Sequence, residues 1–239
     1  MWVICLGACA QAGKADITGR PDGAITLGDS RTSPDAFVVP VDAPPGVTTK
    51  TLTETSTDVL VANNSIACNN QATTEPALAT KANSYYRVFD LAAAGITMDF
   101  HVTSMGFQVE SSDGQVATAR VGTYIGTVTP ATMTLSVATM TMVASNTNVT
   151  IPATSTGATV TAPFSNATIP AGKKLYIELD SPDGTATVNY MFVGSNTGGE
   201  SLPGYILSTA CSISSPTNIS TVSSTNPKVN LLMTVTGTY

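Results

Sequence analysis

The sequence predicts an all-β protein: a single antiparallel β-sandwich domain, jelly-roll-like, behind a disordered N-terminal tether. Three observations carry this. Only 11% of the 239 residues are charged, against roughly a quarter in an ordinary soluble domain. Thr, Ser, Val, Ala and Asn take their place, so straight-chain helix formers are scarce and stiff β-branched side chains favour pleated strands. Short β-rich runs also recur from Asp58 onward with turn residues between them, at the spacing of a sandwich. The third observation is alternation. Leu175, Ile177 and Leu179 stand against Lys174, Tyr176 and Glu178, and Val229, Leu231, Met233 and Val235 against Asn230, Leu232 and Thr234, the period of a strand with one face on a core.

Taken in chain order, residues Trp2 to Ala8 are apolar or small and lead to Cys9. Residues 1–8 read as a signal peptide and 9–57 as a linker. Between Gln11 and Thr57 stand Pro21, Pro34, Pro40, Pro44 and Pro45 among many Gly, Asp and Thr residues, with no sustained apolar period. Such a segment cannot bury enough surface to offset its ordering entropy. The triplet Phe37-Val38-Val39 is the exception, an apolar stretch able to pair with a sheet edge. The domain proper is expected over 58–239. Its strands are expected at 58–62, 85–91, 100–110, 117–128, 132–144, 149–151, 159–164, 174–180, 187–194, 205–209 and 228–238. Turns are expected at Asp113-Gly114, Pro170-Ala171-Gly172 and Ser181-Pro182-Asp183-Gly184. About 180 residues suffice for one large core.

Charge and hydropathy exclude two partner classes. The formal net charge is −6, and the only adjacent basic pair is Lys173-Lys174. No basic face exists to release counterions from a polynucleotide, so nucleic acid is not an expected partner. No apolar run reaches the roughly 18 residues that span a bilayer, so attachment to a membrane would be by lipid rather than helix.

Leu6-Gly7-Ala8-Cys9 resembles the lipobox of bacterial lipoproteins. The resemblance implies a diacylglycerol on the Cys9 thiol, cleavage before it, and localisation at the cell envelope, on the outer membrane or cell surface by the lipid anchor. No Lys or Arg precedes Cys9, and the reading therefore expects a start upstream. The alternative is that Trp2 to Leu6 is a buried strand. The run from Ser33-Pro34-Asp35-Ala36 to Asp42-Ala43-Pro44-Pro45 resembles the spacers of myxobacterial lipoproteins. In an exported chain, Cys68 and Cys211 are expected to form a disulfide, the alternative being two free thiols.

Further on, the blocks NSYYRVFDL (83–91), FHVTSMGFQVE (100–110), LYIELDSPDG (175–184), FVGSNTGGE (192–200) and YILSTAC (205–211) resemble, in order, an accessory β-sandwich module of secreted multidomain proteins from Bacteroidetes and other bacteria. The resemblance covers nearly all of 65–239 and implies a sandwich without an assigned activity. It differs in standing alone rather than beside a peptidase or sorting domain.

Catalytic sets are weak. Leu27-Gly28-Asp29-Ser30 resembles the nucleophile block of GDSL hydrolases, but the single histidine, His101, follows Asp99 at the wrong spacing, leaving the serine without a base. His101 reads as an outward strand residue. No cofactor is expected, and one histidine with two paired cysteines leaves no zinc set. Glu178, Asp180 and Asp183 supply oxygen ligands of the kind calcium takes, although turn carboxylates that cap amides read the same way. Tyr85, Tyr86, Arg87, Asp90, Tyr190 and Tyr205, with the Gly194 to Gly204 loop, form the candidate ligand set, because tyrosine faces stack on sugars while Arg and Asp bond hydroxyls. Alternating core aromatics, with Arg87 paired to Asp90 or Glu110, would look identical. The reading that results is a non-catalytic surface lipoprotein that binds or adheres through a glycan or protein ligand. A self-assembling structural envelope lipoprotein is the second reading, and a secreted hydrolase the third.

Overall fold

A computed structural model describes residues 46–70, 78–154, 156–223 and 228–239. Cys9, the leader, the Leu27 to Ser30 motif and the tether through residue 45 lie outside the described residues. The chain divides into Met1–Ala43 and Pro44–Tyr239, and all described residues belong to the second unit. They form twelve strands: β1 (Thr49–Thr53), β2 (Asn83–Phe89), β3 (Phe100–Tyr124), β4 (Met140–Thr154), β5 (Ala158–Ile169), β6 (Lys174–Ser181), β7 (Met191–Val193), β8 (Ser195–Asn196), β9 (Tyr205–Ser208), β10 (Ile213–Asn218), β11 (Asn230–Leu231) and β12 (Met233–Thr238). Three single-turn 3-10 segments are the helical content among the described residues. The all-β expectation holds.

β3 organises the sheet. At 25 residues it is long enough to change partners along its length. Phe100–Val109 pairs with β5, and His101–Phe107 with β12. Beyond the bend, Ser112–Tyr124 pairs with β4, and Thr118–Tyr124 with β6. The hydrogen-bonded order is β1-β12-β3-β6-β2-β9-β10, with β4, β5 and β7 joined to β3. Every pairing is antiparallel. The sequence splits β3 at Asp113-Gly114, and here the structure corrects it. Gly114 does adopt the left-handed conformation that suggested a turn, with φ +93°. Its amide bonds the Ser112 hydroxyl at 3.0 Å, and Asp113 Oδ1 accepts the Tyr190 amide at 2.9 Å. The result is a bend within one strand rather than a reversal.

Inward residues from both halves of β3, among them Phe100, Met105, Phe107, Val109, Ala119 and Val121, join Tyr85, Phe89, Leu175, Ile177, Leu179, Ile206 and Val235 in one core cluster. A sheet whose opposite ends share a core must curl around it. Val102 and Met105 both point inward although three residues apart, because the β5 pairing slips between Val102 and Ser104; the bulge resets the phase. The opposite face is not left to solvent either. Tyr86, Val88, Tyr124, Leu135, Tyr176 and Tyr205 form a second cluster there, beneath the connection from β3 to β4, whose Leu135 amide bonds Pro216 O at 2.8 Å. Tyr176, read as an outward residue, is therefore 4% exposed.

Two boundaries move. Residues 49–53, placed in the linker by sequence, are the edge strand β1, paired to β12 with Thr51 opposite Thr236; Leu52 is buried between flanking threonines. The folded unit thus begins upstream of Asp58. Conversely, 58–62 is not a strand. It is a connection, held by the Val61 amide on Ser195 O at 2.9 Å and by the Gln108 side chain on Asp58 O at 2.6 Å. Farther along, Cys68 and Cys211 are joined by a disulfide across 143 residues, with Cα atoms 5.9 Å apart.

Candidate functional site

The tyrosine set does not come together. β2 directs Tyr85 and Arg87 to the inner core and Tyr86 to the outer cluster, as the twofold period of a strand requires. The Tyr85 hydroxyl donates to Ile66 O at 3.1 Å. Tyr205 is fully buried, and its hydroxyl is without a hydrogen-bond partner. Asp90 caps the turn after β2 by accepting the Ala93 amide at 3.0 Å. Tyr190 is buried against Phe192, ring centroids 6.1 Å apart. All five of Tyr85, Tyr86, Arg87, Tyr190 and Tyr205 are interior, so none offers a free face to a sugar.

The proposed calcium ligands do not converge either. Arg120 takes Glu178 at 2.9 Å and Asp180 at 3.0 Å, while Tyr86 donates to Glu178 at 3.0 Å and Ser84 to Asp180 at 3.3 Å. This is a cross-strand network over β3, β6 and β2. Asp183 instead accepts the amide and hydroxyl of Thr185 at 2.9 and 2.5 Å, and those bonds lower its pKa. Among the described residues no three His, Cys, Asp or Glu side chains are grouped as a metal needs. His101 lies on the exposed face of β3, its Nδ1 2.9 Å from the Thr168 hydroxyl.

What the fold does assemble lies where β1 ends. The Arg87 side chain is completely buried, and its Nη1 reaches Glu200 Oε2 at 2.9 Å and Leu202 O at 2.5 Å, while Nη2 reaches Leu231 O at 2.7 Å. Sequence offered Asp90 or Glu110 as partner; Glu110 instead accepts the Asn63 and Ser65 amides at 2.5 and 3.1 Å. Arg87 thus pins the loop after β8 from beneath. The same loop is stitched to the segment following β1: Ser56 N donates to Gly199 O and Ser201 N to Glu54 O, both at 2.8 Å, and the Ser201 hydroxyl also bonds the Glu54 carboxylate.

Between the two segments runs a groove of about 360 Å³ lined by Thr53, Glu54, Thr55, Ser56, Gly199, Glu200 and Ser201. Thr53 and Thr55 also line an adjoining cavity of about 180 Å³ with Asp58, Phe107, Gln108 and Leu232. Burial raises the pKa of Glu54 and of Glu200 and lowers that of Arg87; the mutual attraction of the charges pulls each back toward its ordinary value. The groove thus presents hydroxyls and two carboxyl groups, that of Glu200 paired with Arg87, while Phe107 and Leu232 line the adjoining cavity, an arrangement suited to bonding polar groups on a ligand. Sequence missed Glu54 because it stood in the presumed linker. Glu200 was inside a flagged loop, and the signal for it was Arg87 itself: a guanidinium in an apolar strand must find a carboxylate.

No family model matches the chain, and no curated protein matches it significantly. Two solved structures resemble it. One contains the cysteine protease and lectin-like domains of Cwp84, a surface layer associated protein of Clostridium difficile, with TM-score 0.43 and 17% identity over 67% of this chain and 33% of that one. The other is the clostridial cysteine protease Cwp84 after propeptide cleavage, with TM-score 0.43 and 17% identity over 66% of this chain and 36% of that one. This chain thus spans about a third of either match, and likeness of this degree carries no inference about ligand or activity.

Proposed function

We propose that this chain is a non-catalytic binding or adhesion module of a cell-surface lipoprotein, its domain a jelly-roll-like sandwich and its membrane attachment a lipid on Cys9. The observation that carries the binding reading is the groove beside β1. Its walls are threonine and serine hydroxyls with Glu54, and its floor loop is locked by Arg87. A preorganised, hydroxyl-lined concavity suits a glycan or an extended polypeptide, since little ordering entropy is lost when such a ligand binds. The disulfide supports export, because bridges of this kind persist in oxidising compartments. The test is a glycan array and a cell-binding assay on the full chain, repeated with Glu54→Gln and Thr53→Val. Binding that weakens about tenfold in each variant, the loss of roughly one hydrogen bond to a ligand, is expected. Blank arrays together with blank cell binding would overturn the reading.

A further inference from the structure

From Val121 to Gly172 the sequence contains no Asp, Glu, Lys, Arg or His. That stretch is the end of β3, then β4, β5 and their flanking connections. Both strands pair only with β3 among the described residues, so each carries an unpaired edge. Asn146 Nδ2 bonds Pro163 O at 3.1 Å, which joins the two edges into one continuous flank. Outward residues along it, Ser145, Thr147, Thr150, Thr159 and Thr161, are exposed, and Met142 is 56% exposed beside them. Edge strands are ordinarily guarded against pairing by charged side chains, prolines or bulges. This flank has no charge, and Pro152, Pro163 and the slips in its pairing with β3 interrupt its edge without closing it.

We infer that the β4–β5 flank is an interface with a second copy of this chain, met edge to edge about a two-fold axis. The choice of occupant rests on charge. Every charged residue of a chain with net charge −6 lies outside Val121–Gly172, so two copies repel elsewhere, whereas here no carboxylate faces another. A neutral flank offers nothing for an oppositely charged stranger to recognise. Threonine ladders, by contrast, pair like with like, and a two-fold requires only self-complementarity. Extent sets the strength. A strand of β4's length runs about 50 Å, and sheets lie about 10 Å apart, giving on the order of 500 Å² per copy. That is at the small end of specific interfaces, the class of weak, reversible contacts. The β4 register slips opposite Ala117/Ala119 and opposite Val121/Gly122. Such bulges shorten the stretch that can pair, and a two-fold contact uses each flank once, so the union closes as a pair instead of an open fibre.

Sedimentation equilibrium of the full chain, from about 1 µM to about 1 mM so as to cover weak, reversible association, tests the inference. Expected are a dimer in the parent chain, dissociation constants at least about tenfold weaker in Thr150→Lys and Thr161→Lys because each places like charges near the axis, and no change in Thr49→Lys on the far edge. Amide exchange on the unaltered chain supplies a readout that does not depend on the variants folding: protection should rise with concentration within 140–169. A parent chain that stays monomeric, a dimer that survives both flank lysines, or protection that rises elsewhere overturns the inference.

Discussion

Removing the Glu200 carboxylate tests whether Arg87 depends on it. The Arg87 side chain is 0% exposed and that of Glu200 17%, so Glu200→Ala leaves a buried guanidinium bonded to two carbonyls and to no carboxylate, with Glu54 the nearby negative charge that remains. Breaking a buried pair from one side costs about 3–5 kcal/mol. Partial access of water on the Glu200 side, and the surviving bonds to Leu202 O and Leu231 O, place the expected loss at the lower end, about 3 kcal/mol. For a domain of this size that corresponds to a fall in Tm of about 6–12 °C. Glu200→Gln keeps an acceptor and loses the charge, so it should fall between the parent and the alanine variant. In Arg87→Met the carboxylate can turn to solvent but two buried carbonyls lose their donor, and the double variant Arg87→Met/Glu200→Ala should cost less than the two singles added, by about 2 kcal/mol. Thermal unfolding followed by circular dichroism, with the disulfide intact, measures all four. A Glu200→Ala loss below about 1 kcal/mol, or strictly additive singles, would refute the claim that this pair locks the groove floor.

Two further outcomes follow from packing. At Gly122 an added Cβ would sit 2.2 Å from Thr141 O and 2.6 Å from the Tyr176 ring, the cross-strand neighbour that lies over it; Gly122→Ala should cost about 2 kcal/mol through backbone displacement, measured by denaturant unfolding. A chain that begins at Asp58, the boundary suggested by sequence, lacks β1 and strips Leu52 from the core. It should unfold at least about 2 kcal/mol below one that begins at Gly46, through that lost burial and the opened β12 edge.

The periodicity that identified the strands was legible because it reports which face is apolar, and β2, β6 and β9 appear within two or three residues of where the pattern put them. The organisation of β3 was not. A glycine with positive φ is equally at home in a reversal and in a bend, and only the partners decide which. For Gly114 those partners come from strands more than thirty residues downstream. β1 was hidden for a related reason: a five-residue threonine strand has almost no apolar signal of its own, and it is extended because β12 supplies a ladder.

The candidate site follows the same logic at the level of side chains. Tyr85, Tyr86 and Tyr205 drew attention because aromatic residues with a polar tip serve ligands and cores alike, and the curl of the sheet decided for the core by covering both faces of β2. Arg87 was the informative residue in that run, since a buried cation cannot be merely packed. Its demand for a carboxylate was local and readable, whereas the identity of that carboxylate was not. Glu200 becomes its partner only because β2 and β9 are neighbours, which brings the loop before β9 over the strand end. The segment after β1 then closes over that loop through Glu54, Thr55 and Ser56. The groove thus arises from strand pairings between parts of the chain distant in sequence, and no window of residues contains it.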